Sequence, residues 1–158
     1  MKALFLDRDG IINKERGDYT WLPEQFEFTQ NLFPFLRKMQ DEGYVLIVIT
    51  NQGGIEKGLY TKEDVDTLHN YMTKELSEKG IEILDVFYCP HHDIYEKCLC
   101  RKPGSLLIEK ALAAYNLDPE KSLMLGDRQR DVDSALAAGV KGQVIPSNSD
   151  WNNVIIKI

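Results

Sequence analysis

The chain has 158 residues, enough for one domain that buries about 70% of the surface its unfolded form exposes. Apolar residues make up 43%, charged residues 28%, and a net charge of -6 argues against a nucleic-acid or anionic-membrane partner, since either needs a basic face. The longest aliphatic run, "VLIVI", falls far short of the ~20 residues that span a bilayer, and four apolar residues before Asp7 make no signal-peptide core, so a cytoplasmic location is expected; the chain is taken to act as a monomer.

In chain order, "ALFL" (3–6) reads as a short buried strand, followed by a long polar and aromatic loop. A helix is predicted from about Asn31 to Glu42, with Leu32, Leu36 and Met39 on one stripe and Gly43 as its stop. "YVLIVIT" (44–50) is a continuous apolar run, as a strand covered on both faces requires. Residues 61–80 form a helix capped by Thr61, with acids in the first turn and Val65, Leu68, Met72 and Leu76 facing the core. "IEILDVFY" (81–88) is a third strand. A loop holding all three cysteines follows, then a helix from about Ser105 to Tyr115 and the strand "SLML" (122–125). A helix around Val132 to Ala138 and a strand near "GQVIP" complete the pattern.

Strands alternating with helices mean βαβ units. The expected fold is therefore α/β: a Rossmann-like three-layer sandwich around a mostly parallel sheet, in one domain over residues 1–158. Ligands in such sheets lie beyond the carboxyl ends of the strands. Three strands here run straight into polar residues there: Asp7 and Asp9, Thr50 and Asn51, Asp127 and Asp131. A fourth leads into the loop that delivers Arg101 and Lys102. All four groups should meet along one edge.

Four carboxylates in one pocket need a cation, because two like charges roughly 4 Å apart repel by about 4 kcal/mol even at an effective dielectric of 20. A hard, oxygen-lined site suits Mg²⁺. A lone Asp-x-Asp is most often a solvated loop. Followed by glycine after an apolar strand, and matched by Gly-Asp-x-x-x-Asp after another, it becomes specific. Thr50 and Lys102, each unremarkable alone, add a hydroxyl and a point charge for phosphoryl oxygens. A carboxylate beside Mg²⁺ can attack phosphorus, and the second acid of "DRD" can protonate the leaving alkoxide and later activate water.

"FLDRDG", "VITNQ", "CRKP" and "LGDRQRD", in this order from residue 4 to 131, resemble the four motifs of the haloacid dehalogenase-like (HAD) phosphatases. The cysteine loop is similar to that of the histidinol-phosphatase-like branch, which includes both heptose-bisphosphate 7-phosphatases and histidinol phosphatases. The resemblance implies Asp7 as nucleophile, Asp9 as general acid/base, and Thr50 and Lys102 as phosphate holders. It also implies Mg²⁺ bound by Asp7, the Asp9 backbone carbonyl and Asp127, with Asp131 supporting. Asn51, Gln52, Arg101 and Arg128 are then expected to face a phosphorylated small-molecule substrate.

Cys89-x-His91 and Cys98-x-Cys100 are two ligand pairs joined by a short loop. Three thiolates and an imidazole with no spare position describe a closed, structural Zn²⁺ site. Spacing does not choose between His91 and His92; the resemblance implies His91. Cys100 is covalently next to Arg101, so the metal is expected to hold the basic pair still. His69, in mid-helix, reads as packing or surface.

The spacing from Asp9 to Thr50, and the short cysteine loop, leave no room for a cap domain. Selectivity should therefore come from loops 10–30, 51–60 and 89–103. "CPHH", the zinc-loop length and "FEF" favour a heptose bisphosphate as substrate. Gly53 in place of the usual serine, Lys57 in place of arginine, "GDR" and a short C-terminus resemble the histidinol version instead. Lys57, Arg101 and Arg128 suit a second phosphate; Glu15, Asp18, Tyr19 and Trp21 suit an imidazole and an ammonium. A receiver-type phospho-acceptor domain also combines acids, Thr and Lys on a parallel sheet. Its accepting Asp follows the third strand, whereas here the Asp-x-Asp follows the first.

Overall fold

Apolar alternation along the first strand decides the layering, because successive side chains point to opposite faces. The computed structural model describes residues 1–92 and 98–158. In β1 (Lys2–Leu6), Leu4 and Leu6 join one core cluster, while Ala3 and Phe5 join another on the opposite face. β2 (Tyr44–Asn51) repeats the division, with Leu46 and Val48 on the first face and Ile47 and Ile49 on the second. The first face is covered by α1 (Leu32–Asp41) and α2 (Lys62–Ser77) through Leu36, Met39, Leu68, Met72 and Leu76. The second is covered by α3 (Leu106–Tyr115) and α4 (Gln129–Ala137) through Leu107, Ile108, Ala111 and Ala135.

With β3 (Ile83–Cys89), β4 (Leu123–Gly126) and β5 (Lys141–Val144), the sheet has five strands in the order β3-β2-β1-β4-β5. All four pairings are parallel. The three-layer α/β sandwich expected from the sequence is therefore the architecture observed. The chain steps outward from β1 to β3, then crosses back to place β4 on the other side of β1. The order reverses at β1, so a crevice opens beyond its carboxyl end, between the loops after β1, β2 and β4. Among the described residues, the only regular elements between β1 and α1 and between β3 and α3 are a three-residue 3₁₀ turn in the first interval and none in the second. No helix among them is long and apolar enough to cross a membrane.

Local chemistry accounts for the element ends. The Thr61 hydroxyl accepts from the Asp64 amide at 3.1 Å, and the Asp64 carboxylate accepts from the Thr61 amide at 2.9 Å, closing a capping box at the start of α2. α2 ends at Ser77 rather than at the predicted residue 80, and Gly80 turns the chain at φ +77°. α4 begins three residues earlier than predicted, because the Asp131 carboxylate accepts from the Arg128 amide at 3.1 Å and starts the helix at Gln129. The last residues dock on α1: Trp151 stacks on Phe35 at 4.3 Å and donates its indole N–H to the Thr29 hydroxyl at 2.9 Å.

Candidate active site

Lys102 is the hub of the crevice. Its ammonium is buried, donates to Asp7 Oδ1 at 2.9 Å and to the Ile49 carbonyl at 2.9 Å, and forms an ion pair with Asp131 Oδ1 at 2.6 Å. Burial works to lower the Lys102 pKa, but Asp7 and Asp131 outweigh it and the net shift is upward, so the side chain stays charged. The Asp7 carboxyl is pushed up to about 8, first by burial and further by Asp131 and Asp127, against the pull of Lys102. One cation thus faces three carboxylates, and the cluster is short of positive charge. Carboxylate oxygens of Asp7, Asp127 and Asp131 lie within 4.8 Å of one another, a hard-oxygen donor set that fits a divalent ion such as Mg²⁺.

Two glycines make this convergence possible. A Cβ at position 126 would overlap the Asp131 carboxylate, and one at position 10 would overlap Asp127 and the Ser147 hydroxyl. Gly10 also sits at φ +87°, a conformation that side chains resist. Ser147 donates to Asp127 Oδ2 at 2.9 Å and fixes that side chain from the loop after β5.

Asp9 faces the same crevice in a different state. Its Oδ1 accepts from Arg8 Nη2 at 2.9 Å, Arg8 Nε at 3.3 Å and Asn13 Nδ2 at 2.9 Å. Burial acts to raise its pKa, but Arg8 and the Asn13 hydrogen bond outweigh burial and the net shift is downward. With Oδ1 occupied, Oδ2 is the oxygen left for chemistry. The sequence reading passed over Arg8, which is wholly buried and also donates to the Thr20 carbonyl at 2.7 Å. His69 is its third partner, with Nε2 at 3.2 Å from Arg8 Nη1. Burial and Arg8 hold the His69 pKa down to about 3, so the ring is neutral and Nε2 accepts. His69 is a packing residue, as expected, and also an anchor for the arginine that orients Asp9.

The remaining predicted residues divide by what their side chains touch. Thr50 is buried at the floor. Asn51 is committed to the Lys102 backbone, accepting from its amide at 3.0 Å. The side chain of Gln52 bonds Thr50 and Tyr60. Arg101 and Arg128 line a cleft of about 300 Å³ together with Asp7, Asp9, Tyr19 and Asp127. Arg130, which sequence reasoning missed, lines it too, as do Glu15 and Asp18. Trp21 instead stacks on Tyr60, and Lys57 lies over the Tyr19 ring at 5.3 Å; neither is among the lining residues. Gly53 has a local reason: a Cβ there would press on the His92 ring at 2.9 Å and on Arg101 Nη1 at 3.1 Å.

The sulfur cluster lies beside the cleft. Donor atoms of Cys89, His91, Cys98 and Cys100 fall within 4.8 Å of one another. Zn–S bonds near 2.3 Å imply tetrahedral S···S edges of about 3.8 Å. Cys89–Cys98 at 3.5 Å, Cys98–Cys100 at 3.7 Å, and His91 Nδ1 at 3.5 and 3.3 Å from Cys89 and Cys100 are close to that figure. Cys89–Cys100, at 2.7 Å, must open by roughly 1 Å to share an ion. His91 joins the cluster, while His92 lines the cleft. The joining residues 93–97 lie outside those described.

A family model described as HAD-hydrolase-like matches residues 99–150, a stretch that contains Lys102, Asp127 and Asp131. The chain is 40% identical over 146 residues to a D-glycero-alpha-D-manno-heptose-1,7-bisphosphate 7-phosphatase of Photorhabdus laumondii, covering 89% of this chain and 79% of that one. It is 41% identical over 145 residues to a D-glycero-beta-D-manno-heptose-1,7-bisphosphate 7-phosphatase of Helicobacter pylori, covering 91% and 82%. Among solved structures, the fold superposes with a TM-score of 0.87 on the D,D-heptose 1,7-bisphosphate phosphatase from B. bronchiseptica complexed with magnesium and phosphate. That match is 24% identical and covers 96% of this chain and 84% of the other. With sequence identity at this level over about nine-tenths of its length, the chain belongs to the HAD-like heptose-1,7-bisphosphate 7-phosphatase family.

Proposed function

We propose that this protein is a Mg²⁺-dependent phosphomonoester hydrolase that removes the 7-phosphate of D-glycero-D-manno-heptose 1,7-bisphosphate. The observation that carries the chemistry is geometric: carboxylate oxygens of Asp7, Asp127 and Asp131 lie within 4.8 Å of one another, Lys102 pairs with Asp7, and Asp9 lines the same cleft. Asp7 is the nucleophile: a carboxylate oxygen forms a bond to phosphorus as the bond to the sugar C7 oxygen breaks. Asp9 delivers a proton to that departing oxygen through Oδ2. An entering phosphate dianion raises the Asp9 pKa by like-charge repulsion, so the proton is acquired as substrate binds. In the second half Asp9 takes a proton from water, which attacks the aspartyl-phosphate and releases inorganic phosphate.

Thr50 and Lys102 hold the phosphoryl oxygens. Mg²⁺ is assigned to Asp7, Asp127 and the Asp9 carbonyl, with Asp131 anchoring Lys102 beside them; when bound, it neutralises phosphoryl charge in this acidic pocket. A structural Zn²⁺ is assigned to Cys89, His91, Cys98 and Cys100. The chain works as one uncapped domain. Arg101, Arg128 and Arg130 give the cleft a cationic side that suits a bisphosphate.

The names of the relatives support the heptose substrate, and kinetics test it. With Mg²⁺ present, kcat/KM for the heptose bisphosphate should exceed that for histidinol phosphate by at least about tenfold, or ~1.4 kcal/mol in the transition state. Arg101→Ala should narrow the ratio. Equal or reversed preference would assign the protein to histidinol phosphate instead.

A further inference from the structure

The loop after β2 carries a buried hydrogen-bond chain whose polarity bears on Thr50. Tyr60 Oη lies 2.8 Å from Gln52 Oε1, and Gln52 Nε2 lies 3.0 Å from Thr50 Oγ1. All three residues are buried, at 4%, 2% and 1% exposure. Tyr60 is fixed on every side: its ring stacks on Trp21 with centroids 6.0 Å apart and meets Tyr19 edge-on at 5.9 Å. It also lies against the Cα of Gly54, where any Cβ would overlap the ring.

Direction in this chain follows from proton counting. A buried phenol keeps its hydrogen, and here burial raises the Tyr60 pKa to about 12. That hydrogen needs an acceptor, and the amide oxygen of Gln52 is the one in reach. The opposite amide orientation would leave the phenol hydrogen without an acceptor. With Oε1 turned to Tyr60, the NH₂ end must face Thr50, whose oxygen therefore accepts. Thr50 then keeps its own hydrogen to give. Among the described residues that hydrogen has one long contact, 3.4 Å, to the Asn51 carbonyl. A flipped Gln52 would take it instead, and the hydroxyl would offer a phosphate its lone pairs.

The geometry points to Tyr60 as a positioning residue that sets, through Gln52, the donor polarity of the Thr50 hydroxyl toward a bound phosphoryl group. This rests on the reading of Thr50 as a phosphate holder. Tyr60 touches no substrate. Its ring supports the fold, and its hydroxyl orients one amide.

Tyr60→Phe separates these roles, because it retains the ring and removes the hydroxyl. Inorganic phosphate binding, measured by titration calorimetry with Mg²⁺ present, reads donor polarity without depending on turnover. The Kd for phosphate should rise about tenfold in Tyr60→Phe, with Tm close to wild type. Gln52→Met should show a similar rise. The double variant should be no worse than either single one, since both cut the same chain. An unchanged Kd in Tyr60→Phe, or losses that multiply in the double variant, would overturn the proposal. Should Gln52→Met fold poorly, the Tyr60→Phe ratio decides alone. A wild-type protein that binds phosphate but hydrolyses no phosphomonoester would defeat the functional reading, while the binding ratio still judges the relay.

Discussion

Asp7→Asn abolishes turnover and leaves the substrate bound. An amide of the same shape cannot donate its electron pair to phosphorus as a carboxylate does, so kcat is expected to fall by at least about 10³-fold. Binding should remain measurable, because Thr50, Lys102 and the arginines of the cleft rim stay in place. The fold should not suffer either. Asp7 is one of three clustered carboxylates served by a single ammonium, and Lys102 keeps Asp131 at 2.6 Å when Asp7 is neutralised. Metal-free Asp7→Asn should therefore melt no lower than the wild type. Retention of more than a few per cent of the rate would exclude covalent catalysis through Asp7.

Loss of zinc has the second-largest effect, and it acts at a distance. Cys100 precedes Arg101 and Lys102 in the chain, and Lys102 reaches Asp7, Asp131 and the Ile49 carbonyl. Purified protein should contain about one zinc per chain by elemental analysis, as one tetrahedral site requires. Cys98→Ser should cost about 3 kcal/mol of stability. At roughly 2–4 °C per kcal/mol for a chain of this size, Tm falls by about 10 °C. Activity should fall with it, because the strap that holds Lys102 loosens. A metal-free protein with full activity and unchanged Tm would contradict a structural zinc.

Much of this was legible in the sequence because single elements carried it. "YVLIVIT" is apolar throughout because both faces of β2 are covered, and the order of motifs at strand ends brought Asp7, Thr50 and Asp127 to one crevice. What the sequence concealed depends on partners far away in the chain. Arg8 reads as a spacer between two acids, yet it is buried by His69, Thr20 and Asp9. Nothing local marks a guanidinium for burial. Tyr60 belongs to none of the motifs, and its role depends on Gln52, Gly54 and Trp21 arriving from two loops. Trp151 lay beyond the motifs, and only folding places it on Phe35 and Thr29. The early start of α4 was hidden by a double duty: Asp131 serves Lys102 through Oδ1 and caps the helix through Oδ2.

The central claim is that this crevice cleaves one phosphate from a sugar bisphosphate, the ester at C7. Phosphorus NMR of D-glycero-D-manno-heptose 1,7-bisphosphate incubated with enzyme and Mg²⁺ reads this directly. The account predicts that the C7 phosphomonoester resonance is replaced by inorganic phosphate while the C1 resonance persists, and that EDTA stops the change. Loss of the C1 phosphate first, or a spectrum unchanged with Mg²⁺ present, would contradict it.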